Sequence, residues 1–350
     1  MKLYDSPVYR DDLKIALDSV VSLDTLRGGS LLIAGATGLI GSFLVDMLLE
    51  YNRLYDAAVD IYAVGRSEER LHQRFKDVTT DRLHFIQQDV SCPPTFDVPV
   101  DYVIHAASNA YPAAFAGDPV GTILGNVMGT HYLLEYARTH QTKRLLFVSS
   151  GEVYGQGDPT LTAFPESYSG YVDPTQARSC YPSSKRTAET LCASHLKQYG
   201  LDTVIVRPCH TYGPNVTGSD NRATVQFINN ALAGEDIVMK SRGSQMRSYC
   251  YVADCCSALL SVLTSGASGQ AYNIANREAQ ITIAGFAKEV ADQVGRKVLF
   301  QLPTEAEKAE QTVIPYAVLD ADKLYNLGWH GAYSIKQGVS HTISVLKDNE

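Results

Sequence analysis

Leu31-Leu32-Ile33-Ala34 reads as a buried strand. The turn that follows it, Gly35-Ala36-Thr37-Gly38-Leu39-Ile40-Gly41, opens a helical pattern with Leu39, Phe43, Leu44, Met47 and Leu48 on one side. This junction constrains the fold more than any other segment. Glycines at this spacing let the backbone turn tightly and let an anion approach the main chain. The helix start then offers free N–H groups and the positive end of its dipole. Alone, such a turn is an ordinary strand–helix junction. With further strands behind it, it reads as a pyrophosphate site for a dinucleotide.

Those further strands are expected at 60–64, 84–87, 102–105, 145–149 and 203–206, alternating with helices over 39–51, 120–139 and 184–199. Strands separated by helices of this length need crossover connections, hence a parallel sheet covered on both faces. The expected class is therefore α/β, a Rossmann-type doubly wound parallel sheet. After residue 207 the pattern turns mixed, with helices near 223–233, 251–264, 283–294 and 336–346 and extended pieces at 236–240 and 271–275. We read three parts: a 1–29 extension with a short helix over 11–21, a 30–206 dinucleotide-binding domain, and a smaller mixed 207–350 lobe built after the sheet. The extension has three readings: covering the site, joining a subunit interface, or packing on the back of the sheet.

Composition sets the outer bounds. With 350 residues and 45% hydrophobic content, the chain has material for a core in both lobes, which excludes global disorder. A formal charge of −8 weighs against nucleic acid or an anionic membrane as the main partner, while a local basic pocket for phosphate remains open. No apolar run is long enough to span a bilayer and the first residues hold no signal-like core, so a cytoplasmic protein is expected. The seven cysteines are scattered without a CxxC pair, and the nine histidines lack metal-ligand spacing; we expect reduced thiols and no metal.

The end of the second strand distinguishes the two nicotinamide dinucleotides. An acid there holds the ribose 2′-hydroxyl, and an arginine accommodates a 2′-phosphate. The stretch is Ala63-Val64-Gly65-Arg66-Ser67, with no acid. Arg66 can meet a 2′-phosphate, stack on adenine, or be a solvated loop cation; the lean is slightly toward NADP. Asp89-Val90, after the third strand, is placed for the adenine amino group or is a plain turn acid.

Tyr181-Pro182-Ser183-Ser184-Lys185 is the second strong feature. Tyr and Lys four apart face the same side of a helix, and an ammonium near the phenol favours the phenolate. The pair then forms a base for an alcohol proton while hydride leaves for nicotinamide. Ser149-Ser150 closes a strand between this motif and the glycine turn.

With these motifs in place, the chain resembles the extended short-chain dehydrogenase/reductase family, in its nucleotide-sugar epimerase/dehydratase branch. The resemblance rests on GATGLIG (35–41), DYVIHAAS (101–108), SSGEVYG (149–155), YPSSK (181–185), RPCHTYGP (207–214), RSYCYVADC (247–255), YNIAN (272–276) and LGW (327–329). It implies NAD or NADP, tightly bound and recycled, against Gly35, Thr37, Gly38, Leu39, Ile40, Gly41, Arg66, Asp89, Val90, Ala106 and Ala107. It implies that Ser150 hydrogen-bonds the sugar hydroxyl, Tyr181 is the base and Lys185 binds the nicotinamide ribose. A nucleoside diphosphate sugar, with UDP favoured, would meet Ser108, Ser150, His210, Asn215, Arg222 and Arg247. The match at 215–226 is loose, and His210 stands where family members commonly carry Asn. The family also implies a homodimer through helices 120–139 and 184–199. Leu133, Leu134 and Leu191 fit that interface or simply face the sheet.

The segment 149–155 orders the possible reactions. In the resemblance, 4,6-dehydratases carry an Asp-Glu pair, the Asp serving the departing C6 hydroxyl and the Glu the C5 proton. UDP-glucuronate decarboxylases replace the Asp by Ser and keep the Glu. Here the positions are Gly151 and Glu152, and the bland reading of Glu152 is an acid paired with a neighbour. Gly151 offers no side chain to C6, which leaves room for a larger or different sugar. Residues 177–190 resemble the RxCYxxxKRxAET block of UDP-glucuronate decarboxylases, and 243–247 resemble their GSxxR segment. For Arg247 a diphosphate clamp is favoured over a proton donor. The expected order is decarboxylation of UDP-glucuronate, then 4,6- or 5,6-dehydration, then 4-epimerisation. A catalytically silent NAD(P)-binding protein and a dehydrogenase releasing NAD(P)H stand as the other classes.

Overall fold

The computed structural model describes residues 3–158, 160–218, 220–301 and 316–348. In β1 (Ser30–Ala34), every residue from Leu31 to Ala34 is fully buried. A strand buried on both faces needs helices on both sides of its sheet. β2 (Asp60–Gly65), β3 (Leu83–Gln87), β4 (Tyr102–His105), β5 (Arg144–Val148), β6 (Thr203–Pro208) and β10 (Ala271–Ile274) join β1 in the order β10-β6-β5-β4-β1-β2-β3. Every neighbouring pair is parallel. This is the expected doubly wound Rossmann-type sheet.

Side chains alternate across it with the period of two that a strand imposes. Leu31 and Ile33 join the cluster that holds α2 (Leu39–Tyr55) and α8 (Val252–Ser265). Leu32 and Ala34 face the opposite cluster, which holds Leu133 and Leu134 of α5 (Pro119–Thr139) and Ala188 and Cys192 of α6 (Cys180–Tyr199). The leucines considered for a subunit interface therefore face the sheet: Leu133 and Leu134 are buried and Leu191 packs partly against the same cluster. Helix α5 exposes Val120, Ile123 and Leu124 instead.

Two segments after residue 206 belong to the sheet layers. β10 pairs with β6, and α8 packs against β5, β6 and β10. Residues Val252 to Leu263 are buried without a break, and a helix apolar on all sides has to lie between other elements. The smaller lobe carries α7 (Ala223–Leu232), α9 (Ile283–Gln293) and the sheet of β7 (His210–Tyr212), β9 (Met246–Tyr251), β11 (Gln280–Thr282) and β13 (Tyr316–Ala317). β8 (Ile237–Met239) pairs with β12 (Val298–Phe300). Short helices α3 (Glu68–Arg74), α4 (Pro112–Gly117) and α10 (Asp322–Tyr325) complete the loops, and α11 (Ile335–Lys347) closes the chain under a Ser334–Gln337 capping box.

The N-terminal helix α1 (Pro7–Asp18) packs on α2, α8 and α11, behind the sheet. Tyr9, Leu13, Ala16 and Leu17 are buried there. Asp12 is buried too, accepting from Tyr251 Oη at 2.6 Å and Tyr333 Oη at 2.7 Å, with His341 Nδ1 at 2.7 Å. Of the three readings of the extension, packing on the back of the sheet describes it. All seven cysteines are free thiols. Among the described residues no helix is long and apolar enough to cross a membrane.

Candidate active site

The strand order reverses between β1 and β4, and the crevice at the carboxyl ends of such strands is where ligands of doubly wound sheets bind. The glycine turn makes that crevice possible. Gly35 has φ +88°, and a Cβ there would lie 2.7 Å from Ala107 N and 2.8 Å from Ala106 O. A Cβ on Gly41 would lie 2.1 Å from Gly35 O. Any side chain at either position would push β1 off the end of β4 or the helix off its turn. The resulting cradle admits main-chain N–H groups and an anion, so the residues present fit a dinucleotide pyrophosphate.

A cavity of about 460 Å³ runs along this crevice. Its walls bring together Gly35, Thr37, Gly38, Leu39, Ile40 and Gly41 from the turn, Arg66, Asp89 and Val90 beyond β2 and β3, and Ala106, Ala107 and Ser108 beyond β4. Ser150, Tyr181 and Lys185 line it as well, and it extends to Thr217, Asp220 and Arg222. Four expected residues lie off this wall: Glu152, His210, Asn215 and Arg247.

Tyr181 sits in the first turn of α6, which starts at Cys180 and not at Ser184 as the periodicity suggested. Pro182 falls in that first turn, where a missing N–H breaks no intrahelical bond. Burial pushes the Tyr181 phenol up to about 12, and the Glu152 carboxylate adds to this. A hydrogen bond with Ser150 and the charges of Arg222 and Arg178 act the other way. Lys185 is itself buried; its Nζ donates to Val148 O at 2.8 Å and lies 5.8 Å from the Tyr181 ring centroid. Burial brings its ammonium down to about 7, with Glu189 opposing. The expected lowering of the phenol by a permanent ammonium is therefore absent from the protein alone, because burial weakens both charged forms.

Two residues outside the quoted site complete the neighbourhood. The Phe115 ring stacks on Tyr181 at 5.4 Å, and the Arg178 guanidinium lies 4.5 Å above Phe115. Arg178 Nη2 also donates to both Glu152 oxygens, at 2.8 and 3.0 Å. Glu152 is thus an acid paired with a neighbour, as its plainer reading held. Arg178 lay inside the recognised 177–190 block, yet nothing in the spacing named its partner; Phe115 lies in no motif. Asn126 was also missed: it accepts from Ser108 Oγ at 2.8 Å and donates to Ser184 Oγ at 2.9 Å, tying the β4 loop to α6.

Asn215 has a different place from the one expected. Its amide donates to Tyr9 Oη at 2.7 Å and Ser42 Oγ at 3.3 Å, in a buried knot that also holds Asp46 and Arg74. Arg222 pairs with Asp220 at 2.6 Å. His210 is an exposed residue at the start of β7, and desolvation together with the charges of Arg247 and Arg222 lowers its imidazole pKa. Arg247 is buried on β9 and donates to Met246 O at 2.9 Å. A Cβ at Gly151 would meet Leu319 Cδ1 at 3.4 Å and Pro208 O at 3.5 Å, ordinary van der Waals contacts.

The family model described as "NAD dependent epimerase/dehydratase family" matches residues 31–275. Among curated proteins, UDP-glucuronic acid decarboxylase 3 of Arabidopsis thaliana is 34% identical over 310 residues, covering 88% of this chain and 86% of its own. UDP-glucuronic acid decarboxylase 1 of Danio rerio is 33% identical over 313 residues, covering 89% and 71%. Among solved structures, a UDP-glucose 4-epimerase with UDP-glucose from Thermotoga maritima superposes with TM-score 0.75 at 21% identity, covering 91% of this chain and 99% of that one. A dTDP-glucose 4,6-dehydratase from Streptomyces venezuelae with NAD and TYD bound gives TM-score 0.75 at 23% identity, covering 91% and 97%. At that identity the solved structures bear on the fold.

Proposed function

The chain belongs to the NAD dependent epimerase/dehydratase family, and we propose that it oxidises C4 of a nucleoside diphosphate sugar transiently, decarboxylating UDP-glucuronate. One observation carries the reading: the glycine cradle and the Ser150, Tyr181 and Lys185 side chains line a single cavity that continues to Arg222. The choice of decarboxylation is supported by relatives of 33–34% identity named UDP-glucuronic acid decarboxylases.

A nicotinamide dinucleotide in the cradle supplies the hydride acceptor for sugar C4 and the donor that later reduces the ketone. Tyr181 Oη takes the C4 hydroxyl proton, and Ser150 Oγ hydrogen-bonds the same oxygen. A C4 ketone beside the C6 carboxylate is a β-keto acid. Its C5–C6 bond breaks to release CO2, and the electron pair moves onto the C4 oxygen as an enolate, which regains the ketone when a solvent proton is added at C5. Ser150 and the reprotonated Tyr181 are the donors that stabilise this enolate. Arg222 and Arg247 are read as clamps for the diphosphate.

Gly151 supports this choice over 4,6-dehydration. An acid is needed to help a C6 hydroxyl leave, and Gly151 carries no side chain to supply one; loss of CO2 needs no such acid. Dehydration stays the second reading because Glu152, whose charge reaches Tyr181, suits removal of a C5 proton. The chain is read as a homodimer through α5 and α6, supported by the exposed Val120, Ile123 and Leu124, and organised as a cofactor lobe and a nucleotide-sugar lobe. Proton NMR with UDP-glucuronate and, separately, UDP-glucose tests the reaction. The expected result is a UDP-pentose from the first and no change in the second. A 4-keto-6-deoxy product from UDP-glucose would move the assignment to dehydration.

A further inference from the structure

We propose that Cys209, on the cavity wall, and Cys250, behind it, form an oxidation site: a hydroperoxide oxidises Cys209, and Cys250 closes the product into a disulfide. The inference is independent of which sugar reaction the cavity performs, and neither thiol has a part in the steps given above. Thiols scattered along the sequence meet at one place in the fold. β7 and β9 run parallel with Thr211 opposite Cys250. Cys209 precedes Thr211 by two residues, so the strand's period of two turns it to the face that Thr211 and Cys250 share. The Cys250 thiol interacts with Cys209 on one side and, on the other, with Cys255 in the first turn of α8. Thr211 joins the group, its Oγ1 donating to Cys209 O at 3.3 Å and lying 3.5 Å from Cys255 Sγ. Cys209 N donates to Ile274 O at 3.0 Å, which fixes the backbone at the reacting sulfur.

The sulfurs differ in access. Cys209 is half-buried and lines the cavity with Ser150, Tyr181 and Thr211. Cys250 and Cys255 are fully buried. The hydrogen bond with Cys209 raises the Cys250 thiol's pKa and burial adds to this, with Cys255 opposing. Cys250 therefore keeps its proton until an electrophilic sulfur stands beside it, and a small hydroperoxide entering the cavity meets Cys209 first. With H2O2, the Cys209 sulfur attacks one peroxide oxygen, the O–O bond breaks, and the departing hydroxide leaves as water with the thiol proton. Cys209 is then a sulfenic acid, oxidised by two electrons. The Cys250 sulfur attacks the Cys209 sulfur, the S–O bond breaks, and hydroxide leaves with the Cys250 proton as a second water. Two thiols and one H2O2 thus give one disulfide and two waters. The bridge draws the Cys209 side chain toward β9 and spares it the irreversible step to sulfinic acid.

Peroxide treatment of the full-length protein with its resident cofactor, followed by alkylation of the remaining thiols, proteolysis and mass spectrometry, tests this without turnover. Cys92, an exposed thiol outside the cluster, reports that the oxidant has acted. The expected product is a Cys209–Cys250 cross-linked peptide short of two hydrogens, assigned by its fragment ions and lost on treatment with dithiothreitol. Cys250→Ala should instead leave Cys209 carrying added oxygen, because the thiol that resolves it is gone. Cys209→Ser, a change at a half-buried position, should leave Cys250 and Cys255 reduced, and carries the test if Cys250→Ala fails to fold. An unchanged melting temperature would show that each variant is folded. Cys209 that stays reduced while Cys92 is oxidised overturns the site. So does oxidised Cys209 without a bridge to Cys250, or oxidation of Cys250 in folded Cys209→Ser.

Discussion

Tyr181 and Lys185 are both buried, and burial holds each toward its neutral form, so the Lys185 ammonium gives up its proton at about 7. The site is expected to act as a base once that proton is lost. We expect kcat/KM to rise with pH up to about 7 and level off above it. Lys185→Met should cut the rate roughly 100-fold and move the rising limb upward, because Tyr181 alone sits near the top of the phenol range. Arg178 acts on the same phenol through its charge and through Phe115. Arg178→Gln should raise the phenol pKa and shift the limb to higher pH, while Arg178→Lys should restore part of that shift. An unshifted profile for Arg178→Gln would reduce this arginine to scaffolding.

At the scale of elements, α1 is an integral part of the sheet's back layer, though it precedes the first strand. Tyr9 donates to Asp46 of α2 and accepts from Asn215, just after the smaller lobe's first strand, so one phenol joins both lobes. Tyr9→Phe leaves two buried polar groups short of a partner and should cost about 1–3 kcal/mol in denaturant unfolding. His341 of α11 adds a pH term. Its hydrogen bond to buried Asp12 raises its pKa above the ordinary 6.5, helped by the charge of Asp11, with Tyr251 and Tyr333 on the same carboxylate. A raised folded pKa stabilises below the unfolded value, so this contribution is complete under about pH 6.5 and fades as pH climbs through the higher one. His341→Gln should flatten that decline in stability-versus-pH curves. None of this was legible from periodicity. Leu13, Ala16 and Leu17 marked a helix, but Asp12 in their midst reads as a surface acid until Tyr251, Tyr333 and His341 are brought to it from the far end of the chain. β7 and β9 escaped for a similar reason: His210-Thr211-Tyr212 and Met246–Tyr251 mix polar and apolar residues without clean alternation, because they are held by neighbouring strands.

For the whole molecule, the sequence carried the sheet because parallel strands buried on both faces must be short apolar runs, and β1, β4, β5 and most of β6 are. It also carried the cradle and Tyr181 with Lys185, whose residue types are dictated by backbone approach and acid–base chemistry. It placed Asn215 at the substrate without foreseeing its bond to Tyr9, and it could not show Leu319 beside Gly151, because both partners are distant in the chain. Those two also bear on the central claim, that this cavity removes the C6 carboxyl of a nucleotide-linked uronic acid after oxidation at C4. Carbon-13 NMR of UDP-glucuronate labelled at C6, mixed with the cofactor-loaded protein, follows that carbon directly. The account predicts that the label appears as CO2 and bicarbonate while a UDP-pentose accumulates, and that Tyr181→Phe retains it. Label that stays on a sugar product, or on unreacted substrate in the presence of folded, cofactor-loaded protein, contradicts the account.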